Sequence, residues 1–138
     1  MTKGRHQARI AALKALYEVD LAGHGAPAVL ERVLRGTPLR PELSAFASEL
    51  VQGVLAHRSL IDDLLRRTAP AWPLEQIAAI DRNILRLAIY EIMVDNRVPI
   101  RVVINEAVEL AKAFGSDNSA KFVNGVLGSI ALMAMRQS

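Results

Sequence analysis

Cysteine is missing from the 138-residue chain. That excludes disulfides, thiolate zinc sites and cysteine nucleophiles, and it fits a reducing compartment. Aromatic residues are scarce. Three Phe, two Tyr and one Trp make up 4% of the chain, so a core must be built from Leu, Ile, Val and Ala. Such a core suits packed helices. Long apolar runs are missing too. Lys3, Arg5, Arg9 and Lys14 interrupt every candidate signal sequence near the start. The longest uncharged run near the end, Phe122 to Met135, is 14 residues and contains Asn124, Gly125, Gly128 and Ser129. A spanning helix needs about 20 mostly apolar residues. The expectation is a cytoplasmic protein without a membrane anchor.

Acidic residues are missing from both ends. The first acid is Glu18 and the last is Asp117. Residues 1–17 carry Lys3, Arg5, Arg9 and Lys14, and residues 118–138 carry Lys121 and Arg136. All 14 acids and 11 of the 17 bases lie between them, so the body is slightly negative although the chain is +3 overall. If folding brings the ends together they form one basic patch, the electrostatic footprint of a nucleic-acid site. Solvated charges without a partner are the alternative.

What is present is helical periodicity. Half of the chain (51%) is hydrophobic, and apolar residues recur every three or four positions with no sustained alternation. The spacing predicts helix 1 from about Arg5 to Leu21, with Ile10, Leu13, Leu16, Tyr17 and Leu21 as its stripe. Arg5 and Arg9 extend that stripe past the core edge, where they are placed to reach phosphates. Gly23 to Pro27 is a break, and a short helix spans about Ala28 to Arg35. Pro41 starts a third helix. Ser59, with Asp62 as the third-residue acid, reads as the cap of a fourth, which Pro70 and Pro73 stop. Helix 5, about Leu74 to Asp95, is apolar on most sides and therefore central. Pro99 opens helix 6 and Gly115 ends it. Helix 7 follows with Phe122, Val123, Val126, Leu127, Ile130 and Met133. Close approach of another helix would explain its Gly125 and Gly128.

Catalytic chemistry finds little support. His6, His24 and His57 are far apart and lack metal-ligand spacing. No phosphate-cradling glycine motif or nucleophile elbow is present. Asp62 and Asp63 read as a solvated pair, and Glu109 with Lys112 as an i,i+3 ion pair. Asp81 and Asn105 sit among apolar positions and are expected to hydrogen-bond neighbouring helices. The expectation is a non-enzyme with no cofactor and no metal.

The stretch KFVNGVL, Lys121 to Leu127, leaves two readings open. Phe122 falls on the apolar spacing and can be core. It also lies in a first turn beside Lys121, where free N–H groups and the helix dipole attract phosphate, and an aromatic there can stack an unpaired base.

INEAVELAKAFGSDNSAKFVNGVL, Ile104 to Leu127, closely resembles the signature of the NusB family of bacterial transcription antitermination factors. IDRNILRLAIYEI, Ile80 to Ile92, the following VPIRVVINEA, and RHQARIAALKALYEVDL, Arg5 to Leu21, resemble the same family's central region and first helix. The likeness covers nearly the whole chain and is weakest between Gly23 and Pro41. It implies an all-α fold of about seven helices in two small bundles sharing the N-terminal helix, as a single RNA-binding domain over residues 1–138. It implies binding to single-stranded boxA RNA of nascent ribosomal RNA transcripts, together with NusE, a small-subunit ribosomal protein, in an RNA polymerase antitermination complex. Some members form homodimers that cover the RNA surface, so a protein–protein scaffold with RNA binding secondary is the alternative. The family's arginine-rich motif matches Arg5 and Arg9, with Lys3 just before. Its RNA-contacting start of the last helix matches Lys121 and Phe122.

Two departures stand out. GRHQAR carries two arginines where many members have a denser run, which predicts weaker RNA binding, since phosphate neutralisation dominates affinity. Position 118 is Asn where an acid is common, and the lost negative charge beside Lys121 offsets part of that. Some ribosomal RNA cytosine methyltransferases carry a NusB-like domain ahead of a cysteine-containing catalytic domain. A chain ending at Ser138 without cysteine is expected to be a stand-alone factor.

Overall fold

A computed structural model describes residues 2–137, with side chains from Gly4 to Arg136. Among the described residues there are seven α-helices and no strand. They fall into two compact units, Met1–Ala56 and His57–Ser138.

The first unit holds α1 (Thr2–Ala22), α2 (Ala26–Arg35) and α3 (Pro41–Ala56), with α1 packed against both others. Its buried stripe differs from the expected one. Ala8, Ala11, Ala12 and Ala15 are buried with Leu13 and Leu16, whereas Tyr17 and Leu21 are exposed. A seam of alanines on one face lets a neighbouring helix approach closely, so small side chains fill the contact that larger ones were expected to fill. Gly23 ends α1 at φ +67°, a left-handed conformation that glycine adopts without penalty. The following helix starts at Ala26, earlier than expected, with Pro27 in its first turn, where a missing N–H costs nothing. Pro41 is the first residue of α3, as its fixed φ predicts.

The second unit holds α4 (Arg58–Thr68), α5 (Ala79–Ile89), α6 (Ile100–Phe114) and α7 (Ser119–Gln137). α5 packs against α4, α6 and α7, and Ile84, Leu85, Leu87, Ala88 and Ile89 are all buried. It is the central helix that its all-round apolar surface predicts. It is also shorter than expected. Leu74–Gln76 forms a separate 3-10 turn and Ala78 is extended, so α5 begins at Ala79. The Arg82 guanidinium donates to the carbonyls of Leu74 (3.2 Å) and Ile77 (3.0 Å), satisfying groups that a continuous helix would have paired internally. After Ile89 the chain widens into a π-helical stretch, Tyr90–Asp95. It ends at Asn96, whose left-handed φ of 58° suits an asparagine and whose N–H donates to the Glu91 carbonyl at 3.0 Å.

Three polar expectations need correction. α4 starts at Arg58, and Asp62 is not the acid of an exposed capping box. It is buried and accepts two hydrogen bonds from Arg86, Nε to Oδ1 at 2.8 Å and Nη2 to Oδ2 at 3.1 Å. Burial of α5 on several sides leaves Arg86 needing a partner, and the Asp62 side of α4 supplies it. Only Asp63 is solvated, paired with Arg67 at 2.9 Å. Asp81 is buried, but its Oδ1 has no hydrogen-bond partner, while Asn105 is exposed. Gly125 and Gly128 face open space, not a close helix. The Glu109–Lys112 ion pair forms as expected, at 3.4 Å.

Candidate nucleic-acid interface

The start of α1 is organised by one aromatic ring. Phe46, buried on α3, has the Arg5 guanidinium carbon 5.0 Å and the Arg9 guanidinium carbon 5.3 Å from its ring centroid. Both distances lie within cation–π range. The four-residue spacing puts both arginines on one side of the helix, as read from the sequence, but their exposures differ. Arg5 is exposed and Arg9 is only 2% exposed. An exposed guanidinium can meet a phosphate, whereas a buried one acts chiefly on its packed neighbours. The Lys3 side chain lies outside the described residues.

The start of α7 is built differently. Gly115 closes α6, and a Cβ there would come within 2.4 Å of Ser119 Oγ and 2.8 Å of the Ala111 carbonyl, so only glycine fits the turn. The buried Ser119 hydroxyl accepts from the Ser116 backbone N–H at 2.8 Å, and the Phe122 N–H donates to the Asn118 carbonyl at 3.1 Å. This local network sets the direction of the first turn. It leaves Lys121 exposed and Phe122 half-buried.

Phe122 meets Trp72 edge to face, with centroids 6.3 Å apart and planes at 74°. Trp72 sits in the connection between α4 and α5, its backbone N–H donating to the Ala69 carbonyl at 3.0 Å, and it is 53% exposed. The two rings line a cleft of about 230 Å³ together with Ile77, Asp81, Ser116 and Asn118. Phe122 is therefore neither a fully buried core residue nor a free surface aromatic: one edge packs and the rest borders a cleft. Trp72 and Asp81 were not read as site residues. An exposed tryptophan bracketed by prolines, and an acid amid apolar positions, were the available signals.

Elsewhere, Glu18 on α1 accepts from Arg32 and pairs with His24 at 2.9 Å. The Arg32 hydrogen bond first, then that from His24, holds its carboxyl below the ordinary value. No group of three or more His, Asp or Glu that could hold a metal occurs among the described residues, and none of their helices is long and apolar enough to cross a membrane.

The described residues form an all-helical protein with an exposed arginine at the start of α1 and, in its other unit, an exposed lysine beside an aromatic cleft. More particularly, the chain belongs to the NusB family, whose model matches residues 6–132. It is 54% identical over 130 residues, 94% of this chain and 91% of the relative, to the transcription antitermination protein NusB of Dehalococcoides mccartyi. Its fold is similar to that of T. maritima NusB, with a TM-score of 0.86, 38% identity, and 92% of this chain and 89% of that one covered. It is also similar to a chain in the crystal structure of the antitermination factors NusB and NusE in complex with dsRNA, with a TM-score of 0.89, 26% identity, and 96% and 99% covered.

Proposed function

We propose that this protein is a non-catalytic transcription antitermination factor that binds boxA-type RNA of nascent transcripts together with NusE, within an RNA polymerase complex. The observation that carries this reading is the 54% identity, over 94% of the chain, to a transcription antitermination protein NusB. The similarity to a chain crystallised with NusE and RNA supports the choice of partners.

The geometry fits such a role. Arg5 and Lys121 offer exposed cations for phosphates, with Lys3 added from the sequence. Arg9 is buried against Phe46 and acts by holding the aromatic to which Arg5 also packs. Phe122 offers a ring edge and face beside Lys121, suited to unpaired RNA, whose bases can splay out and stack.

A mobility-shift titration with boxA RNA, alone and with purified NusE, tests the reading. RNA should bind at low salt, tighten when NusE is added, and weaken steeply with salt. Binding to NusE without RNA binding at any salt would establish the scaffold alternative instead.

A further inference from the structure

We infer that Phe46 is a positioning residue for RNA binding: its ring holds the Arg5 guanidinium ready for a phosphate, and this pre-ordering compensates for the thin arginine run. The inference rests on the RNA-binding reading above and adds to it a residue buried beneath the contact surface.

The starting observation is how the molecule holds its arginines. Arg32, Arg35, Arg40, Arg67 and Arg97 are exposed, and each pairs with a carboxylate. Arg5 is exposed and lies over a ring instead. The two kinds of partner differ in what they leave for an anion. A carboxylate cancels the charge that a phosphate would meet, and must be displaced. A ring attracts a cation through its quadrupole and leaves the net charge whole. A guanidinium seated on a ring face also keeps its in-plane N–H groups, the fork that fits a phosphate. No acid precedes Glu18, so the start of the chain brings no competing carboxylate of its own.

The seat itself is packed. Phe46 is 8% exposed, and the buried Arg9 shares its ring, with the guanidinium carbon 5.3 Å from the centroid. Leu43, one turn earlier on α3, lies close to the backbone of Gly4: a Cβ there would come within 2.9 Å of Leu43 Cδ1. Helix ends fray because their first N–H groups lack partners within the helix. Here the first turn of α1 is held down, with Gly4 against Leu43 and Arg5 over Phe46.

Holding the side chain in advance raises affinity. A long side chain that must be ordered on binding weakens a complex by about two- to tenfold. An arginine that is already ordered avoids that loss. GRHQAR has only two arginines, and one of them is buried. The arm therefore depends on the quality of one exposed guanidinium and not on their number. A Phe46 that only fills the core makes a different prediction: its loss would lower stability and leave the RNA affinity of the folded protein alone.

The test is a double-mutant cycle read in RNA affinity. Binding of boxA RNA is followed by fluorescence anisotropy over a salt series. Wild type, Phe46→Leu, Phe46→Tyr, Arg5→Ala and the Phe46→Leu, Arg5→Ala double variant are compared, each well below its own melting transition. Phe46→Leu should weaken binding about two- to tenfold and keep the salt slope, because Arg5 still reaches its phosphate but is ordered only on binding. Phe46→Tyr, which restores a ring, should bind like wild type. In the Arg5→Ala background Phe46→Leu should make no further difference. Wild-type affinity in Phe46→Leu overturns the inference and leaves the RNA-binding reading intact. So does a Phe46→Leu defect of the same size with and without Arg5. Should Phe46→Leu fail to fold, Phe46→Met, without a ring and closer in volume, takes its place in the cycle. No RNA binding by the wild type at any salt would overturn both.

Discussion

The start of α1 and the start of α7 both carry a cation and involve an aromatic ring, yet they are built to opposite ends. At α1 the ring, Phe46, is buried and the cations lie over it: Arg9 is sealed in and Arg5 remains outside. At α7 the cation, Lys121, is exposed and the ring is half-buried, in edge-to-face contact with a second aromatic beside a cleft. The first arrangement spends its aromatic on positioning charge. The second leaves aromatic surface open. In nucleic-acid recognition these are separate tasks, since phosphate contacts position and base contacts specify. A basic residue near an aromatic is thus not one motif but two, told apart by which partner is buried.

Substitutions can break or sharpen this contrast. The largest effect should come from Arg86→Ala, which removes the bidentate partner of the buried Asp62 and leaves it only the Arg58 guanidinium, 3.6 Å away. The expected loss is about 3–5 kcal/mol in urea unfolding, and hydrogen exchange should accelerate first in α4 and α5. Next, Phe122→Ala should remove up to about 3 kcal/mol of RNA binding. Its melting temperature should fall less than for a fully buried phenylalanine, because only part of the ring is packed. A large melting drop with unchanged RNA affinity would return Phe122 to the core.

Arg9→Ala should cost about 2 kcal/mol of stability, the loss of a desolvated cation–π contact. Arg5→Ala should leave stability nearly unchanged and lower the slope of log affinity against log salt by about 0.7, one phosphate's share on single-stranded RNA. If the two arginines behave alike in both measurements, the division between a buried and an exposed arginine is wrong. The smallest effect belongs to Glu18→Gln. Glu18 is held below the ordinary carboxylate value by Arg32 and His24. Its contribution is therefore present above the unfolded-state value and lost as pH falls through the lower folded one. The substitution should shrink that acid-side loss in a pH-dependent melt, and added salt should mask the difference.

The helices themselves were largely legible. Periodicity located all seven, and Pro41, Pro99 and Gly115 punctuate the chain where their backbone chemistry says they should. The errors lie where a residue's partner is distant. Asp62 looked like a solvated cap because its partner, Arg86, is 24 positions away. The break before α5 was hidden because an arginine side chain satisfies the Ile77 carbonyl there and shares the Leu74 carbonyl with the Ile77 N–H. Trp72 was passed over because Phe122, which gives it meaning, lies on another helix.

The sequence by itself determined the helical class, the near absence of aromatic core, the acid-free ends and the family. These are properties of composition and of spacing within a turn or two, which local backbone preferences translate directly. Only the tertiary structure decided that Arg9 is buried while Arg5 is not, that Asp62 answers Arg86, and that Asp81 lines a cleft beside Trp72 and Phe122. Burial and pairing depend on which helix faces come together, and a one-dimensional pattern shows that a face exists without saying what will cover it.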